Sequence, residues 1–246
     1  MAGQSIDPAK EESISFTVGK RLLQGVLHLP EKKASPVVVG SHGLLADKSS
    51  PKQIALATHC ARAGIAFFRF DHGGCGESPG GDLSDIPLMD VRCAELEAAI
   101  ITIGGRPDID NHKIGLFGSS FGGAVCLKSI PVLKGGPVVT WAAPQKSGPV
   151  LRFLEKTGGT TYRTHPLERL VFDITDCGPL KNILILHGEN DEVVPATDAH
   201  KLFAAARYPK RLRLFSGGDH RMRNSAHQTL FLREALGWYE RHFSCP

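Results

Sequence analysis

The sequence predicts an α/β fold, a mostly parallel, doubly wound sheet of about eight strands with an antiparallel hairpin at its N-terminal edge. Three observations predict it. Short continuous apolar runs recur along the chain, segments with helical apolar spacing lie between them, and one early segment alternates apolar with polar residues around a tight turn. Ile14 to Val18 (ISFTV) alternates, turns at Gly19-Lys20 and resumes from Leu22 to Leu29, as a hairpin at a sheet edge would. From Pro36 onward the pattern changes. Pro36 to Gly40, Ile65 to Phe70, Lys113 to Phe117, Pro137 to Trp141 and Ile183 to Leu186 are short continuous runs, apolar but for Arg69, Lys113 and Thr140, and Arg211 to Phe215 is the last strand. Strands apolar on both faces are buried on both faces, which requires helices above and below a parallel sheet.

The helices fall where that arrangement needs them. Gln53 to Ala63, Leu83 to Ile103, Ala124 to Ile130, Thr197 to Arg207 and Ala226 to His242 place apolar residues three and four apart. Right-handed crossovers then gather the loops that follow each strand onto one sheet edge, where ligands bind. The alternation breaks between Ala142 and Lys181, which carries APQKSGP, TGGTT and DCGP with short amphipathic fragments at Pro149 to Lys156 and Pro166 to Phe172. Residues 142–181 are expected to form a small lid inserted into a single domain of residues 1–246. With 41% hydrophobic and 22% charged residues the chain can bury a core large enough to offset its conformational entropy.

Composition excludes more than it assigns. The 29 basic and 25 acidic residues leave a formal charge of +4, and the cations are dispersed, so nucleic acid is not an expected partner. No stretch approaches the roughly 18 apolar residues that cross a bilayer. The first residues lack a basic segment followed by an apolar one, so no secretory signal is read and a cytoplasmic setting is expected. Cys60, Cys75, Cys93, Cys126, Cys177 and Cys245 form no CxxC pair and are read as reduced thiols. No clustered histidine spacing suggests a metal, and no phosphate-binding glycine loop suggests a nucleotide. No cofactor is therefore expected, and the oligomeric state is left open.

The 27 glycines and 16 prolines indicate many tight turns, and one turn carries chemistry. Gly118-Ser119-Ser120-Phe121-Gly122 follows the strand Lys113 to Phe117 and opens a helix, which is G-x-S-x-G in its strand-turn-helix setting. A serine on so sharp a turn brings the positions two before and two after it against other backbone, where a Cβ would not fit. A serine hydroxyl is a weak nucleophile and needs a base oriented by a third group. Asp191 lies in the loop after Ile183 to Leu186, and His220 lies in the loop after Arg211 to Phe215. Both loops leave the same sheet edge as Ser120.

Four blocks in this order carry a family resemblance: Ser41-His42-Gly43-Leu44, Asp71 to Ser78 (DHGGCGES), the Ser120 turn, and the Asp191 and His220 loops. From about Pro36 to His242 the chain resembles the α/β-hydrolase superfamily, and within it small cinnamoyl and feruloyl esterases with their dienelactone-hydrolase and peptidase relatives. The second block departs from the common D-x-R-G-H-G-x-S, with Gly73 for arginine and Cys75 for histidine. The resemblance implies Ser120 as nucleophile, His220 as base and Asp191 as its acid, in the chain order that this superfamily uses. It also implies that the backbone N–H groups of Phe121 and Leu44 form an oxyanion hole, and that Asp71 organises the glycine loop beside it.

The expected reaction is hydrolysis of a small-molecule carboxylic ester. A thioesterase or an aminopeptidase-like enzyme would use the same residues, and a non-catalytic binding module would be expected to have lost one of them. Other residues receive plainer readings. His42 shapes the oxyanion loop, His187 packs at a strand end, and His28, His59, His112 and His242 are surface or helix residues. Cys75 is a small residue fitting a turn, and Asp198 sits inside a helix. Lys146, Arg152, Lys156, Arg163 and Arg169 of the insertion read as a solvated face, with an acidic substrate as the alternative.

Overall fold

The computed structural model describes residues 10–31, 34–81, 86–133, 135–157, 161–162 and 165–244, with the backbone alone at 161–162 and 165–167. Leu83, Arg163 and Cys245, named above, lie outside this description. The elements run β1 (Lys10–Val18), β2 (Arg21–Leu29), β3 (Ser35–Ser41), α1 (Pro51–Arg62), β4 (Ala66–Phe70), α2 (Leu88–Gly104), β5 (Ile109–Ser119), α3 (Phe121–Lys128) and β6 (Val138–Trp141). The second half adds α4 (Gly148–Lys156), β7 (Thr161–Tyr162), β8 (His165–Pro166), β9 (Ile183–Gly188), α5 (Ala196–Ala205), β10 (Lys210–Phe215) and α6 (Ser225–Phe243).

Eight strands form one sheet in the order β1-β2-β4-β3-β5-β6-β9-β10. Antiparallel pairing is confined to β1 with β2 and β2 with β4, and the remaining neighbours are parallel. The fold is that of an α/β-hydrolase. Continuous apolar runs are explained by the two faces. Val37, Val39, Phe68 and Leu116 pack with α2, α3 and α5, while Val38, Phe67, Phe117, Leu184 and Leu186 face α1 and α6. Because successive side chains of a strand point to opposite faces, a central strand is apolar at most positions, and its polar ones, such as Arg69 of β4 and Thr140 of β6, are buried. No helix among the described residues is long and apolar enough to cross a membrane. The five described cysteines are free thiols, four of them buried.

Several boundaries differ from those expected, each for a local reason. Helix α2 begins at Leu88, with Pro87 at its N-cap, and not at Leu83. Proline lacks an N–H and starts helices more readily than it continues them. Helix α3 begins at Phe121, so Gly122 and Gly123 are helical despite their poor propensity, and a 3-10 turn at Ile130–Leu133 follows it. Pro166 to Phe172 is not an amphipathic α-helix: Pro166 belongs to β8 and Leu167–Leu170 form a 3-10 turn. Within residues 142–181, Val150, Leu154, Leu170, Phe172 and Ile174 join the main apolar cluster, so this segment is anchored to the sheet domain's own core. His28, expected at a surface, is instead 1% exposed in β2 and accepts a 2.8 Å hydrogen bond from Arg69 Nε.

Candidate active site

Strand β5 delivers Ser120 directly into α3 through a turn with φ 54° and ψ −126°, a region that L-residues rarely occupy. The turn is held open by its surroundings. The Ser120 N–H donates to the Trp141 carbonyl at 2.7 Å, and its own carbonyl accepts the Gly123 N–H at 2.8 Å. A Cβ on Gly118 would collide with the Gly122 carbonyl, and one on Gly122 with the Ser41 carbonyl. The spacing of glycines around the serine is thus a steric requirement of the elbow.

The loops after β9 and β10 bring Asp191 and His220 to this serine. His220 Nε2 lies 3.0 Å from Ser120 Oγ, and its Nδ1 lies 2.8 Å and 3.0 Å from the two Asp191 carboxylate oxygens. The Asp191 carboxylate is buried. Its Oδ1 accepts the N–H groups of Val193 and Val194 at 2.9 Å and 2.8 Å, and its Oδ2 lies 3.4 Å from His187 Nε2. Burial pushes this carboxyl upward, but hydrogen bonds from His187 and His220, the His220 charge and the Val194 N–H outweigh burial and hold it well below the carboxylate range. Trp141 Nε1 donates to the His220 carbonyl at 2.9 Å, and the His220 N–H donates to Glu192 at 3.1 Å. The imidazole is therefore placed by its backbone as well as by Asp191.

The loop after β3 lies against the elbow: a Cβ on Gly43 would stand 3.5 Å from Ser120 Cβ. Leu44 follows on this loop, and Phe121 opens α3, where first-turn N–H groups have no partner within the helix. The loop is fixed from behind by groups that sequence reasoning missed. Arg92 of α2 is 1% exposed, and its guanidinium lies 3.4 Å from each of the His42, Gly43 and Leu44 carbonyls. The same group sits over the Phe121 ring at 5.1 Å. Arg92 thus touches both halves of the expected oxyanion hole.

A second buried chain adjoins it. Ser41 Oγ lies 2.9 Å from His72 Nε2, and His72 Nδ1 lies 2.8 Å from Glu95, which pairs with Arg21. Arg21 reaches from β2 into the space that a side chain at position 73 would occupy, so the family's missing arginine is replaced from another strand. The His72 N–H donates to His42 Nε2 at 3.1 Å, which leaves His42 Nδ1 to donate to the Gly43 carbonyl at 2.8 Å. The one available signal was a charged pair, Arg92 and Glu95, on the apolar stripe of a helix. Asp71 spends its carboxylate away from His220. It accepts the Lys48 N–H, the Lys48 ammonium and the Glu77 N–H at 2.7, 2.6 and 2.9 Å, and so organises the 71–78 loop. Asp198 accepts the Gln145 N–H at 3.0 Å from inside α5, and Cys75 is buried in its turn.

Two predictions arise here. Arg92→Met is expected to lower kcat for ester hydrolysis by about 10- to 100-fold with little change in KM, since a loosened hole loses transition-state contacts first. Arg92→Lys should recover only part of this, because an ammonium cannot span three carbonyls. Steady-state kinetics that left kcat intact in both variants would remove Arg92 from the mechanism. The second concerns acid stability. Burial and the Arg92 charge pull the His72 imidazole down to about 4, against Glu95, which pulls it up. The unfolded chain, near 6.5, then binds a proton that the native state refuses, so stability is complete above that pH and falls as pH drops toward 4. Urea unfolding is expected to lose about 1 kcal/mol between pH 7 and pH 5.5 through this group. A His72→Asn variant should lack that part of the slope.

The sequence profile of the family described as serine aminopeptidase, S33, matches residues 32–158, just over half of the chain. The chain belongs to this α/β-hydrolase family. The profile of the prolyl oligopeptidase family matches residues 159–245. An uncharacterized protein of Mycobacterium tuberculosis is 30% identical over 192 residues, 76% of this chain and 63% of that relative. This chain thus spans less than two thirds of that relative's length. The uncharacterized protein YfhR of Escherichia coli is 28% identical over 228 residues, covering 87% of this chain and 75% of its own. Among solved structures, a dienelactone hydrolase from Anabaena variabilis has a TM-score of 0.70 at 20% identity, with 96% of this chain and 99% of that one covered. Est1E from Butyrivibrio proteoclasticus, solved with ferulic acid, has a TM-score of 0.75 at 14% identity, covering 94% and 99%. At these identities the structural likeness speaks for the fold alone.

Proposed function

We propose that this hydrolase is a serine esterase that cleaves small carboxylic esters through an acyl-enzyme, with Ser120, His220 and Asp191 as its catalytic residues. The carrying observation is the unbroken contact chain from Ser120 Oγ through His220 to Asp191, at 3.0 Å and 2.8 Å. His220 Nε2 takes the Ser120 proton as Oγ attacks the acyl carbon, while Asp191 keeps the other proton on Nδ1 and stabilises the imidazolium. The oxyanion points to the N–H groups of Leu44 and Phe121, each such donor being worth about 3 kcal/mol. His220 protonates the departing alcohol, and a water deprotonated by the same nitrogen releases the acid. No cofactor enters these steps. Residues 142–181 would act as the lid over this edge, and the five free thiols accord with a cytoplasmic setting.

The same chemistry serves thioesters and peptides, and the acids of the insertion weigh against the aminopeptidase reading. An enzyme that grips a free amino terminus needs a carboxylate that is both uncommitted and shielded from water. Asp173 is paired with Lys146 at 2.8 Å, and Glu155, Glu168 and Asp176 are exposed. Initial rates on matched p-nitrophenyl esters, acyl thioesters and aminoacyl anilides are expected to be highest for the esters. Faster cleavage of the anilides would overturn the assignment.

A further inference from the structure

Beside the candidate active site lies a cavity of about 720 Å³, walled by residues 145–149 and 171–173, Arg152 and the start of α5. Its wall is a built one. The Gln145 N–H donates to Asp198 at 3.0 Å, the Ser147 N–H to the Phe172 carbonyl at 3.0 Å and the Ile174 N–H to the Gln145 carbonyl at 3.0 Å. With those backbone groups satisfied, two side chains are left over. The Gln145 carboxamide and the Ser147 hydroxyl, 7% and 6% exposed, line the cavity and make no hydrogen bond among the described residues. Their polar atoms are reached by the water that fills the cavity, so a solute that displaces this water finds both groups free. Two donors facing one cavity can thus serve an acceptor that enters it.

The charges say which kind of acceptor. Lys146, Arg152 and Lys201 line the cavity, and α4 starts at its wall, where the Gly148 N–H precedes Pro149, which has none. Both acids of the wall are engaged. Asp173 is held by Lys146 at 2.8 Å and by Thr175, and Asp198 is taken up by the Gln145 N–H with Lys201 at 3.9 Å. Arg152 forms no ion pair among the described residues, and its guanidinium folds back over the α4 start, 3.3 Å from the Cβ position of Gly148. An anion is thus offered one uncompensated cation, a helix N-terminus and two unused hydrogen-bonding side chains. The cavity also adjoins the proposed chemistry: Phe172 of its wall packs on Phe121 with ring centroids 5.2 Å apart, and Pro195 of its wall ends the Asp191 loop.

We propose that this cavity is a subsite for a carboxylate carried by the substrate, held by Arg152, Ser147 and Gln145 at the start of α4. Resting on the esterase reading, it makes half-esters of dicarboxylic acids better substrates than their neutral diesters. The test compares monoethyl adipate with diethyl adipate, and separately titrates adipate into the protein by calorimetry. Arg152→Ala is expected to lower kcat/KM for the half-ester about tenfold, through KM, while leaving the diester unchanged. Ser147→Ala should act in the same direction, and adipate binding should weaken about tenfold in Arg152→Ala. Equal effects on the two esters, or adipate binding that ignores both substitutions, would overturn the subsite. If neither ester is cleaved the esterase reading fails, and the calorimetric arm still decides whether the cavity takes a carboxylate.

Discussion

Ser120→Ala is expected to lower kcat for short activated esters by about 10⁴- to 10⁶-fold while leaving the unfolding midpoint within a degree or two of wild type. The small structural effect follows from the turn. Alanine and serine both carry a Cβ, so both sit at φ 54° with the same steric penalty, and the backbone bonds from Trp141 and Gly123 are untouched. The kinetic effect follows from losing the oxygen 3.0 Å from His220 Nε2. Ser120→Gly sharpens the test: it should be as inactive as alanine yet more stable by about 1 kcal/mol, because glycine adopts this conformation without strain. A Ser120→Ala, His220→Ala double variant should be no slower than either single one, since groups acting as a unit do not contribute additively. Progress curves with p-nitrophenyl acetate and thermal melts measure all three. Substantial turnover in Ser120→Ala would refute the nucleophile and with it the mechanism.

Much of this was readable in the residues, and the division between readable and unreadable has a physical basis. Strands β3, β4, β6 and β9 are visible because burial on two faces leaves few polar residues in a run, as Val37, Val38 and Val39 illustrate by packing into two different layers. The Ser120 elbow is visible because its sterics demand glycine two positions either side. Helix starts are less legible where a neighbour's shape outweighs propensity, as at Gly122 and Gly123, which are helical although poor helix formers, with no room for a Cβ at Gly122 beside the Ser41 carbonyl. Least visible were partnerships between distant residues. His28, Arg69, His72, Arg92 and Glu95 are polar side chains whose burial is possible only because each meets another across the fold. No local pattern encodes such pairings. His187 packs at its strand end as its position implies, and its second contact, with Asp191, makes it part of what holds the acid ionised.

Asp191→Asn tests the orientation of the histidine separately from the presence of the nucleophile. In the native site Asp191 Oδ1 accepts two backbone N–H groups, from Val193 and Val194, so in the asparagine variant the carboxamide oxygen must occupy that position. The amide nitrogen then takes the place of Oδ2, 2.8 Å from His220 Nδ1, and presents a donor where an acceptor stood. His220 responds by giving up the Nδ1 proton and carrying it on Nε2, which turns the wrong end of the imidazole toward Ser120. The expected loss in kcat is about 10⁴-fold, with folding preserved because the backbone bonds to position 191 survive. Histidine NMR should find the proton of His220 moved from Nδ1 to Nε2 in the variant. Asp71→Asn, by contrast, should weaken the contacts with Lys48 and Glu77 and lower stability without changing that tautomer. If Asp71→Asn moved the His220 proton and Asp191→Asn did not, the acid would have been assigned to the wrong loop.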